Sequence, residues 1–243
     1  MEGPLIILAL LGGFVGSLMS GGSIVVFFIL TLLDLPIKVA IGTLKMVIAG
    51  LTLVSSLSYL RAGVLDMRLA SSLTVCALAG AYLGSFVVLS IPEQWARILV
   101  AIFLIVGAYF TLRGEEEGGA VLGGSLWHFL IGAGLGFYIG VLGLASTLVV
   151  ISALSLFFRL DLLRANATAK FLIFATNFVA FLGYASRGAV DYPTGLILLV
   201  PVALGSWLGA RTAVKLGPKA LRGVFIVLVA LTLLNVLRGL TGE

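Results

Sequence analysis

Apolar residues fill this chain in stretches as long as a lipid bilayer is thick, and that property leaves few folds open. The stretches run roughly over 5–33, 37–60, 69–90, 96–112, 126–158, 162–185, 193–214 and 220–238. A helix needs about 20 residues to cross a hydrocarbon core about 30 Å thick, and only helices or closed barrels satisfy their backbone there. Charged residues make up 10% of the chain and mean hydropathy is +1.24. A water-facing surface usually takes about 25% charge, so the natural solvent is the lipid bilayer. The expected class is an all-α polytopic membrane protein.

The net charge of +5 does not point to nucleic acid. Most Lys and Arg lie in short connectors, where membrane topology requires them. Cys76 lies in an apolar stretch, so neither a disulfide framework nor a CxxC site can form. His128 follows Trp127 at a segment start and reads as interfacial. No cofactor or metal site is expected. The start Met1-Glu2-Gly3-Pro4 lacks the basic residues of a signal peptide, so the first stretch is expected to stay.

Six stretches suit one crossing. The first and fifth are too long, since about 30 helical residues reach about 45 Å. Both are interrupted, the first by Gly12-Gly13, Gly16 and Ser20-Gly21-Gly22-Ser23. The fifth carries Gly132, Gly134, Gly136, Gly140 and Gly143, then Ala145-Ser146-Thr147. Each is expected to be a tilted, broken or re-entrant helix, although small residues also serve close helix packing. The polar run from Arg113 to Gly119 divides the chain, giving a first repeat over 1–113, a linker over 114–125 and a second repeat over 126–243.

The halves align at a shift of 125 residues. Ala40 meets Ala165, Thr43 meets Thr168, Lys45 meets Lys170 and Tyr59 meets Tyr184. Gly63 meets Gly188, Asp66 meets Asp191, and Gly80 and Gly84 meet Gly205 and Gly209. Upstream the shift is 124, so that Gly12 and Gly16 face Gly136 and Gly140. The lysine therefore occurs once per repeat, about eight residues or 12 Å into its helix. A charge so deep costs at least about 2.5 kcal/mol, and snorkelling over 12 Å is a long reach. Both lysines are expected to face a polar cavity between the halves. The breaks at Ser20, Gly21, Gly22 and Ser23, and at Ser146 and Thr147, would aim free N–H groups and positive dipole ends at the same cavity. Thr43, Thr168, Asn166 and Asn177 could add neutral hydrogen bonds. Such a site is complementary to a small anionic solute.

These elements resemble the TauE/SafE family of membrane transporters, the sulfite exporter or toluene-sulfonate uptake permease family. The resemblance rests on the glycine-rich first helix, on Leu35-Pro36 with Ala40-Ile41-Gly42-Thr43, on Tyr59 with Gly63-Val64-Leu65-Asp66, and on Gly80 with Gly84. The second copy gives Tyr184, Gly188-Ala189-Val190-Asp191, Gly205 and Gly209. It covers nearly the whole chain, and the order, spacing and duplication carry it. It implies transport of small, often sulfur-containing anions such as sulfite and sulfonates.

Parallel repeats would cross four times each. Re-entrant first and fifth stretches would give inverted repeats of three crossings each. Leaving out Lys45 and Lys170, the inverted arrangement places Arg61, Arg68, Arg113, Arg159, Arg164, Arg211, Lys215, Lys219 and Arg222 on one face. Lys38, Arg97, Arg187 and Arg238 fall on the other. The parallel arrangement is less asymmetric, so inverted repeats are favoured. The N-terminus is then outside a plasma membrane. Asp66 and Asp191 fall on opposite faces, each capping a helix or pairing with Arg68 or Arg187.

The expected activity is secondary transport of a small anion by alternating access, with protons or another coupling ion as partners. No GxxxxGK[ST] motif is present. An anion channel lined by the same lysines is the alternative, as is a non-transporting membrane partner. A homodimer is compatible with either. An enzyme is not expected, because no HExxH motif or nucleophile–base pair is present.

Overall fold

The structure is a computed structural model that describes residues 3–92, 95, 125–141 and 146–241. The stretch at 96–112, the acidic linker and the glycine and alanine at 143 and 145 lie outside the described residues. Among those described the chain is helical. In order, the helices are α1 (Gly3–Leu18), α2 (Gly22–Leu32), α3 (Ile37–Arg61) and α4 (Met67–Ser90), then α5 (Ser125–Val141), α6 (Ser146–Phe158), α7 (Leu162–Ala185) and α8 (Tyr192–Thr241). α3, α4, α7 and the part of α8 up to Gly217 are long and apolar enough to cross a membrane. At Gly217, φ is 71° and α8 breaks, where the seventh and eighth apolar stretches part.

The two over-long stretches are broken helices that fold back on themselves. Gly21 takes φ 100° between α1 and α2, a left-handed conformation that costs a glycine little. α2 then returns along α1. A Cβ added at Gly16 would lie 2.6 Å from the Gly22 Cα, and one at Gly12 would lie 2.8 Å from Val25 Cγ1. In the second stretch α6 ends with Phe158 against His128 near the start of α5, their ring centroids 5.3 Å apart.

α3 and α7 form the centre and run antiparallel. Near one end Asn166 Nδ2 donates to Tyr59 Oη at 3.0 Å. Near the other, Gly42 lies against Tyr184 and Ala189. Two reciprocal bonds tie the ends together. Asp66 N donates to Thr168 Oγ1 at 3.3 Å, and Asp191 N donates to Thr43 Oγ1 at 2.9 Å. Matched threonines thus bond the backbone that follows the opposite helix, one at each end of the pair. The turns match as well: Asp34 and Arg159 take φ 53° and 54°, and Gly63 and Gly188 take 70° and 66°.

The repeats interlock. α1 packs along α8 of the second repeat, and α5 along α4 of the first. Small residues let the backbones touch, as in other membrane bundles. Gly205 and Gly209 lie on the Leu10 and Phe14 carbonyls, Gly80 and Gly84 on those of Ala133 and Phe137. Gly136 and Gly140 return the contact to Ala77 and Ala81. The matched glycines of the sequence are therefore helix seams.

Both matched aspartates are N-caps. Asp66 Oδ1 accepts from Leu69 N at 3.0 Å, while Asp191 accepts from Thr194 N and Oγ1 at 3.4 and 2.9 Å. Arg187 stacks instead on the Phe86 ring at 4.4 Å. Asp66→Ala should therefore lower stability by about 1 kcal/mol, readable as a modest fall in Tm in detergent with an unchanged elution profile.

Candidate functional site

The tips of the two hairpins meet beside the middle of α3. Gly16, Gly22 and Ser23 from the first hairpin, Ser146 and Thr147 from the second, and Ile48, Leu51 and Thr52 of α3 line a small pocket. Its volume of about 10 Å³ is room for about one water. Ile48 to Thr52 straddle the midpoint of a 25-residue helix, so the pocket lies at mid-depth. Gly22 opens α2 and Ser146 opens α6. Two helix N-termini, each with unsatisfied N–H groups and a positive dipole end, thus share one cavity. At the shift of 124, Gly22 matches Ser146 and Ser23 matches Thr147.

Both lysines are fully buried, and neither snorkels. Lys170 Nζ reaches the pocket wall, donating to the Gly16 carbonyl at 2.5 Å and to Thr147 Oγ1 at 3.4 Å. It also donates to the Met19 carbonyl at 3.0 Å. Lys45 Nζ donates to the Ile139 carbonyl near the end of α5. Each ammonium therefore binds the C-terminal carbonyls of the other repeat's hairpin, where a helix leaves acceptors unpaired and a negative dipole end. Both lysines are held by backbone oxygen at helix ends, because a buried charge without a carboxylate must take its hydrogen bonds from such atoms.

The matched tyrosines complete the two ends. Tyr59 Oη donates to the Ser17 carbonyl at 2.8 Å, and Tyr184 Oη to that of Val141 at 3.4 Å. Asn166 Nδ2 adds bonds to the Ser17 and Leu18 carbonyls at 3.4 and 2.9 Å. Ser17, Ser55 and Ser206 form a buried hydroxyl chain with links of 2.8 Å. Sequence reasoning missed the tyrosines, Ser17, Ser55 and Ser206 as site neighbours. The duplication of Tyr59 at Tyr184 was the signal available; the serines have none, because their matches are Val141, Ala180 and Ala81.

Of the residues named from sequence, Gly22, Ser23, Ser146 and Thr147 line the pocket. Lys170 touches it, Gly21 makes the turn, and Ser20 is buried beside it in sequence. Asn166 binds the end of α1. Thr43 and Thr168 are drawn away to the ends of the α3–α7 pair. Asn177 donates to the Ile173 carbonyl of its own helix at 2.8 Å.

The family model for the sulfite exporter TauE/SafE matches residues 5–236. A protein of Escherichia coli (strain K12) named "Probable membrane transporter protein YfcA" is 28% identical over 235 residues, covering 94% of this chain and 86% of its own. "Probable membrane transporter protein" of Haemophilus influenzae is 25% identical, covering 88% and 86%. "Probable membrane transporter protein MJ0441" of Methanocaldococcus jannaschii is 26% identical, covering 90% and 88%. No solved structure matches the chain. Apolar helices of crossing length, a glycine-seamed repeat and a match along nearly the whole length agree: this chain is a multi-pass membrane protein of the sulfite exporter TauE/SafE family of membrane transporters.

Proposed function

We propose that the protein is a secondary transporter of a small, sulfur-containing anion, and that the pocket between the hairpin tips is its binding site. One observation carries this reading: the first residues of α2 and α6 share a mid-depth cavity with Lys170 on its wall. Paired half-helix N-termini at the bilayer midplane are how repeat-built transporters bind anionic groups. Gly22 and Ser23 and their counterparts Ser146 and Thr147 would bind the anion through backbone N–H and hydroxyl groups. Lys170 and Lys45 add positive charge from behind.

The antiparallel course of α3 and α7 supports inverted repeats with re-entrant hairpins. The connector at Arg61–Arg68 and that at Arg159–Arg164 then share a face, with Lys38 and Arg187 opposite. The basic face is cytoplasmic by the positive-inside rule, which puts the N-terminus outside the plasma membrane. In the carrier reading this pocket is a binding site alternately open to each side, rather than a stretch of continuous pore. Each hairpin and its partner helix, α1–α2 with α8 and α5–α6 with α4, would move as one body against α3 and α7. An ion gradient or the anion's own gradient would supply the energy, and uptake with and without an imposed pH gradient tests protons as the coupling ion.

The test is thermal stabilisation of purified protein by sulfite, sulfate, thiosulfate, taurine, sulfoacetate and short carboxylates at equal ionic strength. A ligand at 100 times its Kd should stabilise by about 2.7 kcal/mol, and the same anion should be taken up saturably by liposomes. Absence of any selective stabilisation would reject the reading; turnover far above about 10³ s⁻¹ would replace the carrier with a channel, since μs–ms domain motions limit a carrier.

A further inference from the structure

Lys170 sits among oxygen atoms. Its ammonium bonds the Gly16 and Met19 carbonyls and Thr147 Oγ1, at 2.5, 3.0 and 3.4 Å. No carboxylate pairs with it among the described residues. Two more buried oxygens belong to residues of this region, Ser20 Oγ just after α1 and Asn166 Oδ1 on α7, whose amide nitrogen bonds the end of α1. Neither finds a hydrogen-bond partner among the described residues. Ser20 follows Met19 directly. Asn166 stands one helical turn before Lys170, and its amide nitrogen is already on the Ser17 and Leu18 carbonyls.

Carbonyl oxygens at the end of a broken half-helix, with hydroxyl and amide oxygens beside them, are the donor set with which transporters hold a monovalent coupling cation. Here a protein cation already occupies the two carbonyls and the Thr147 hydroxyl of such a set. We propose that the end of α1 is a monovalent-cation site whose resident is the Lys170 ammonium, so that no sodium or potassium ion is needed there. Removing the side chain opens the site to an alkylammonium or alkali cation.

The second repeat sharpens the inference. Lys45 bonds the equivalent hairpin end through the Ile139 carbonyl. Asn166 is matched there by Ile41, and Ser17, Ser55 and Ser206 are matched by Val141, Ala180 and Ala81. By its side chains, the first hairpin end is thus the richer in oxygen. The difference marks the Lys170 site as the better cation host once the lysine is gone.

Full-length Lys170→Ala and Lys45→Ala, purified in detergent, are titrated with the chloride salts of propylammonium, sodium, potassium and choline at constant chloride. Propylammonium has the three carbons and the nitrogen that the truncation removes. Lys170→Ala should lose Tm. Propylammonium or an alkali cation should restore roughly half of that loss or more, saturably, as ligand linkage requires, whereas choline should not. Lys45→Ala should recover less. No difference between choline and the smaller cations on Lys170→Ala, or equal recovery by Lys45→Ala, overturns the proposal. Should Lys170→Ala yield no folded protein, the wild type decides. Exchange of sodium for potassium or choline should leave its Tm unchanged, and a saturable sodium or potassium effect there would sink the idea. None of these readouts requires transport or an anion, so the inference can fail while the transport reading stands, and the reverse.

Discussion

Gly136→Val is expected to abolish accumulation of folded protein, while Gly134→Val, two residues away on the same helix, is expected to be tolerated. A Cβ at Gly136 would lie 2.6 Å from both the Cα and the carbonyl carbon of Ala77. Those are backbone atoms, so neither side chain can turn aside. α4 and α5 must separate, and the same seam carries Gly80, Gly84, Gly132 and Gly140, each against the facing backbone. Overpacking costs about 3 kcal/mol or more where nothing yields, and here it opens the whole interface. A Cβ at Gly134 meets nothing within 4 Å. Both substitutions carry the same change in helix propensity, so the monodisperse yield of the two variants isolates the steric term. Equal yields would show that the seam can give way.

The second large effect concerns the charge at the pocket. Lys170→Met keeps an apolar stem of similar length and removes the ammonium. The Gly16 and Met19 carbonyls then lose their donor, at about 1–3 kcal/mol for each unsatisfied group. The positive charge behind the pocket is lost as well. A hydrogen bond to a charged group is worth about 1.5–3 kcal/mol, so anion affinity should fall between about 10-fold and about 150-fold. Lys38→Met is the control. Lys38 donates to the Leu89 carbonyl at 3.0 Å, at the far end of α4, and its loss should leave affinity within about twofold. Lys170→Arg should not restore binding, because a planar fork cannot present donors to carbonyls around one point as an ammonium does. Binding is measured well below the Tm of each variant. Affinity unchanged in Lys170→Met would remove the lysine from the site.

Much of this architecture could be read from the residues. The breaks at Ser20–Ser23 and before Ser146 were visible because glycine and small polar residues interrupt otherwise unbroken apolar runs. The structure places a turn with φ 100° at Gly21. The duplication was visible because polar and glycine matches are rare in an apolar chain, and those pairs prove to be caps, seams and buried lysines. Lys45 and Lys170 were legible as buried, but their partners were not. Gly16 and Ile139 are apolar in sequence, and only the fold brings their carbonyls to the opposite repeat. Thr43 and Thr168 stand two residues from the lysines, which made them attractive as ligands. A helix turns by about 100° per residue, so that spacing directs them elsewhere, to the N–H groups of Asp191 and Asp66. The serine chain was invisible because it joins three helices distant in sequence.

The pairing of α1 with α8 also constrains how the chain is made. A ribosome delivers the first hairpin at the start of synthesis, yet the surface it rests on arrives almost two hundred residues later. Domains emerging from the ribosome generally settle N-terminal first; this one cannot. Its earliest element must wait in the bilayer, with Leu10 and Phe14 uncovered, until nearly the last helix is inserted. Release from the translocon before that moment would expose an adhesive, glycine-lined surface to every other nascent protein nearby.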